Sequence, residues 1–75
     1  MIYTDAPESL TSDTPQSVHR EAALQLERAA EYHRKAASLH EVGDVKQADI
    51  QASIAHVSAA RAMADSARAM KMTLW

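Results

Sequence analysis

Small apolar residues recur at seven-residue intervals through the first half of the chain. Pairs of alanines stand at positions 22–23, 29–30 and 36–37, and a second row with the same interval consists of His19, Leu26, His33 and His40. Because seven residues make nearly two helical turns, both rows lie along one side of one helix. The pattern predicts a long helix whose alanine side packs closely on a partner, with the histidine row inside that seam.

Capping residues indicate where two helices begin and end. Thr14 followed by Pro15 is a typical helix start, since threonine can cap free N–H groups and proline suits the first helical position. The only glycine, Gly43, is expected just beyond the first helix, and Asp44 is expected to cap the second. The sequence therefore predicts an irregular arm over residues 1–14 and one all-α domain over residues 15–75, with helices at about 15–42 and 45–72.

A connection this short predicts that the two helices form an antiparallel hairpin. Around such a turn, residues that face each other have numbers that sum to about 87. Large side chains then meet small ones, with Leu26 near Ala62, His33 near Ala55 and His40 near Ala48. The register from the turn and the requirement for close packing agree, which supports the hairpin.

Each helix carries a wider apolar arc than one partner helix can cover. Such an excess is typical of an interface, and it predicts that two hairpins pair by a two-fold axis into a four-helix bundle. The residues expected at this homodimer interface are Tyr32, Leu39, Ile50, Ile54, Val57 and Met63.

Length and composition also favour oligomerisation. A chain of 75 residues buries a thin core and commonly needs disulfides, a metal or oligomerisation, and this chain has no cysteine. The net charge is −2 and the basic residues are scattered among acids, so we expect no nucleic-acid partner. The longest uncharged stretch, residues 50–60, is too short to span a membrane. With no secretory signal in the sequence, a cytoplasmic protein is expected.

The histidines suggest one alternative function. Neutral imidazole is a good ligand for zinc, copper or nickel, which makes His33, His40 and His56 candidate metal ligands, with Met63 as a further donor. Neighbours seven residues apart are about 10 Å apart along a helix, so one ion would need ligands from another helix. The other interpretation is that the histidines are medium-sized packing residues.

No catalytic arrangement is apparent, so we expect a non-enzymatic protein without a cofactor. There is no cysteine and no glycine-rich phosphate loop, and the acids of the first helix fall on its exposed side. The main prediction is a structural or protein-interaction module. A further alternative is an adaptor that docks an unidentified protein through its apolar terminal end, where Met70, Met72, Leu74 and Trp75 would meet Ile2, Tyr3 and Leu10.

Two resemblances follow from the segment His33–Ala48, which has the pattern H-x-x-A-A-x-x-H-E-x-G-D-x-x-x-A. With the earlier alanine pairs, it resembles a group of small uncharacterised bacterial proteins, helical hairpins with repeated H-x-x-A-A units before a Gly-Asp turn. The resemblance covers roughly residues 19–60 and implies a hairpin but no particular activity. This chain departs from the group at Leu26 and Gln51, where histidine is usual. The turn is also similar to that of tetratricopeptide repeats, whose helices are about half as long.

Overall fold

Two helices packed side by side make up the part of the chain that the computed structural model describes, residues 14–74. Helix α1 spans Pro15–Glu41 and helix α2 spans Val45–Leu74. They pack along their lengths as an antiparallel hairpin, which confirms the predicted fold. Most of the predicted arm, as well as Trp75, lies outside the described residues.

The start of α1 is fixed by a reciprocal pair of hydrogen bonds. The Ser17 N–H donates to Thr14 Oγ1 at 3.1 Å, and the Thr14 N–H donates to Ser17 Oγ at 3.0 Å. These bonds satisfy two donors that a bare helix end would leave free. The Thr14 cap was predicted, whereas the part of Ser17 in it was not.

The turn between the helices closes as the sequence predicts. Gly43 has a φ of +84°, a conformation that a side chain would strain. Its N–H donates to the His40 carbonyl at 3.0 Å, while the Asp44 N–H donates to the Leu39 carbonyl at 2.9 Å. Asp44 then caps α2, because its Oδ1 accepts the Gln47 N–H at 3.2 Å. The helix ends differ from the predicted ones by one residue in α1 and two in α2.

The seam between the helices is built on alanine. The residues that α1 buries are Val18, Ala22, Gln25, Ala29 and Ala36, and those that α2 buries are Ala48, Ala55, Ser58, Ala62 and Ala69. Spacings of three, four and seven residues put each set on one stripe of its helix. Since alanine adds little bulk beyond the backbone, these stripes let the two helices approach closely.

The prediction that the histidine row lies in this seam is wrong. His19, Leu26, His33 and His40 are exposed, and the row buried beside the alanines is that of Val18 and Gln25, which Tyr32 and Leu39 continue as half-buried residues. Both rows border the alanines of α1, so either could face α2. A buried imidazole needs hydrogen-bond partners, and the alanine row of α2 offers none from its side chains. Burying the other row keeps the imidazoles in water.

This change of row preserves the register of the hairpin. Facing residues still have numbers that sum to about 87. In this arrangement, each alanine of the seam lies opposite a residue other than alanine on the other helix. The pairs that involve the alanines of α2 are Leu39 with Ala48, Tyr32 with Ala55, Gln25 with Ala62, and Val18 with Ala69. Every member of these pairs is buried or half-buried, as the register requires. Within residues 14–74, no helix is long and apolar enough to cross a membrane.

Candidate association surfaces

The apolar residues that the hairpin buries are mostly small, and most of its large ones are exposed. Over the described residues, the buried apolar set is Val18 and seven alanines. The large apolar side chains that stay exposed are Leu24, Leu26, Val42, Val45, Ile50, Ile54, Val57, Met63 and Met70. Scattered exposed apolar residues are normal, but contiguous ones mark interaction surfaces. How these nine residues are grouped therefore decides where a partner can bind.

The six residues predicted for the dimer interface fall in three different places. Tyr32 and Leu39 are half-buried in the row that lines the hairpin's own seam. Ile50, Ile54 and Val57 form a stripe on the outer side of α2, and Met63 lies on another side of that helix. One partner surface cannot be centred on all six.

The isoleucine stripe, defined as Ile50, Ile54 and Val57, is apolar but short. Its residues are 47, 37 and 53% exposed and follow one another at four- and three-residue steps. Seven residues of helix cover only about 10 Å. Toward the C-terminus, the same side of α2 continues into three basic residues, Arg61, Arg68 and Lys71.

A second apolar feature is a groove that joins the two helices on one flank. It encloses about 290 Å³ and is lined by Leu26 of α1 and by Ala62, Met63, Ser66, Ala67 and Met70 of α2. Met63 is 72% exposed on its rim. The groove confirms that Leu26 and Ala62 are neighbours, and it shows that the Leu26 row and the Met63 row lie on the same side of the hairpin.

We call this side the histidine face and define it by four rows of residues. On α1 they are His19, Leu26, His33 and His40, with Ala23, Ala30 and Ala37; on α2 they are Val45, Ala52, Ala59 and Ser66, with Asp49, His56, Met63 and Met70. Asp49 is the one Asp, Glu, Lys or Arg in this set. The face therefore runs along nearly the whole hairpin with almost no formal charge.

The opposite flank has a different character. A groove of about 410 Å³ there is lined by Leu39 and by five charged or polar residues, Glu31, Arg34, Lys35, Ser38 and Gln51. Glu31 and Arg34 form an exposed ion pair at 3.2 Å, which contributes little to stability. Gln51 Oε1 is buried there and has no hydrogen-bond partner among the described residues. An unpaired buried acceptor is costly, so hydrogen bonding is less complete on this flank than in the alanine seam.

The candidate metal ligands are exposed. His33, His40 and His56 all lie on the histidine face. Within the part of the chain that the structure describes, no three His, Cys, Asp or Glu side chains come close enough to hold an ion. The described part of a single hairpin thus offers imidazoles at this surface but no cluster of three such ligands.

Sequence reasoning identified Ile50, Ile54, Val57 and Met63 as exposed apolar residues but did not recognise the histidine face. The sequence does contain a sign of this face, because a helical wheel of each helix shows two adjacent rows of residues without lysine, arginine or glutamate. Only the pairing of the helices shows that these rows combine into one surface. Comparison of the chain with family models, with curated proteins and with solved structures found no match, so the two resemblances noted above stay predictions.

Proposed function

We propose that this chain is a non-enzymatic structural module of the cytoplasm that self-associates, with two hairpins forming a four-helix bundle. The observation that supports this function is that alanines fill the seam between the helices, whereas most of the larger apolar side chains stay exposed. Among the described residues, nearly all the buried apolar residues are alanines, while nine larger apolar side chains are 37–77% exposed.

Burial energies explain why this placement favours association. A buried methyl or methylene group contributes about 0.8 kcal/mol, whereas complete burial of valine, leucine, isoleucine or methionine contributes about 1.5–3 kcal/mol. Part of the hydrophobic free energy available to this hairpin is therefore not used within one chain. A chain of this size commonly obtains the missing stability from oligomerisation.

The proposal predicts that stability depends on protein concentration. If folding is coupled to dimerisation, the midpoint of thermal unfolding should rise when the protein is concentrated from micromolar to roughly a hundred times more, because mass action favours the bundle. Circular dichroism at 222 nm in cells of different path length measures this shift. A midpoint that stays the same across the range would contradict the proposed function.

A further inference from the structure

The histidine face is long, spans both helices and carries almost no formal charge. Its rows run from His19 to His40 on α1 and from Val45 to Met70 on α2. On the α1 side, charged residues border the face: Arg20, Glu27, Arg34 and Glu41 follow the next row. Depletion of charge in the centre with a polar rim is typical of protein–protein interfaces.

The area of this face is sufficient for a stable dimer. Helices of 27 and 30 residues are about 40 Å long, and two helices packed together are about 20 Å wide. Their common face therefore covers roughly 800 Å², which is what each partner of a standard specific interface buries. The isoleucine stripe, about 10 Å long, offers a small fraction of that area.

The chemistry of the face fits a second copy better than a charged partner. A partner rich in charge would lose hydration against this surface and gain no ion pairs in return, except near Asp49. A second copy brings an equally uncharged surface. Because a two-fold dimer uses the same patch twice, such a self-compatible face also closes the assembly at two chains.

The groove gives this contact a centre. Leu26 and Met63 project from the two helices at the same level, and Ala62 and Ala67 leave room between and beside them. Large side chains beside small ones allow two copies to interdigitate. Methionine also adapts its shape to an irregular surface, which suits a contact made largely of alanine and histidine.

We propose that the histidine face is the surface on which a second copy of this chain docks, with Leu26 and Met63 at the centre of the contact. The inference rests on the proposed function, since it names the surface through which the hairpins associate. Of the six residues predicted for the dimer interface, this assignment keeps Met63 and leaves out the other five.

A matched pair of substitutions tests this assignment by sedimentation equilibrium. Met63→Glu places a charge in the histidine face, and Val57→Glu places the same charge in the isoleucine stripe; both residues are more than half exposed in the single hairpin. We expect Met63→Glu to raise the dimer dissociation constant at least tenfold, since an unpaired charge cannot be desolvated cheaply. Val57→Glu should change it little.

The outcomes separate the inference from the proposed function. If Val57→Glu dissociates the dimer and Met63→Glu does not, the histidine face is not the interface, although self-association remains. If the unsubstituted chain forms no dimer, both proposals are overturned.

A second measurement covers the case in which Met63→Glu fails to fold. The chain has no cysteine, so Met63→Cys and Val57→Cys each introduce a unique thiol. As protein concentration rises, modification of the thiol at position 63 should slow at least tenfold, while that at position 57 should keep its rate. Equal slowing at both positions, or slowing at position 57 alone, would overturn the inference.

Discussion

Replacing Ala55 by leucine is expected to destabilise the hairpin by about 1–3 kcal/mol. Ala55 is completely buried in the middle of α2, where rows of alanine set the distance between the helices. A leucine there must push the helices apart or leave its preferred rotamers, and either response weakens the neighbouring contacts of the seam. Urea unfolding at a fixed protein concentration measures the loss.

Two controls separate overpacking from other effects of leucine. Ala64→Leu makes the same chemical change at an exposed position of α2 and should leave stability nearly unchanged, because alanine and leucine are both good helix formers. Tyr32 pairs with Ala55 in the register of the turn, so the double substitution Tyr32→Ala with Ala55→Leu should recover part of the loss. If Ala55→Leu unfolds at the urea concentration of the original protein, the alanine rows do not form the seam.

Replacing His33 by lysine is expected to raise the dissociation constant of the dimer at least tenfold. His33 lies on the histidine face, so docking would remove its side chain from water. An ammonium group is better hydrated in separate hairpins than in an uncharged interface, and the substitution therefore favours dissociation. Sedimentation equilibrium, with circular dichroism to monitor helicity, measures the effect.

Two control variants distinguish the added charge from loss of the imidazole. His33→Gln removes the imidazole without adding a charge and should leave the dissociation constant nearly unchanged. Ala64→Lys adds the same charge at an exposed position on the isoleucine-stripe side of α2, outside the histidine face, and should also change it little. Equal dissociation constants for His33→Lys and His33→Gln would show that His33 does not lie within the interface.

The boundaries of the hairpin could be predicted because they depend on local chemistry. Thr14 and Pro15 begin α1, and the positive φ of Gly43 together with the Asp44 cap produces the turn. Each of these features is determined by a few neighbouring residues, whose conformational preferences are strong.

The choice of buried row could not be predicted in the same way. In α1, the rows of His33 and of Tyr32 both border the alanines, so the seven-residue period allows either to face α2. The choice depends on what the opposite helix can offer, and a row of alanines gives imidazoles no hydrogen-bond partners. Gln25 shows how a polar residue is tolerated instead, because its side chain donates to Glu21 at 2.9 Å within α1.

The candidate interface was only partly predictable for a related reason. Hydrophobicity draws attention to Ile50, Ile54 and Val57, which are the most apolar residues of the outer side of α2. The histidine face is instead distinguished by a lack of charge that continues across two helices. Neither helix shows it alone, so it becomes visible only when Leu26 and Met63 are placed on the same flank.

Sedimentation equilibrium of the unsubstituted chain at micromolar concentration and neutral pH, with helicity measured on the same sample, tests self-association most directly. The chain mass is 8.2 kDa. The bundle predicts a species of twice that mass that loses helicity together with mass on dilution. A single species at the chain mass with full helicity would contradict it.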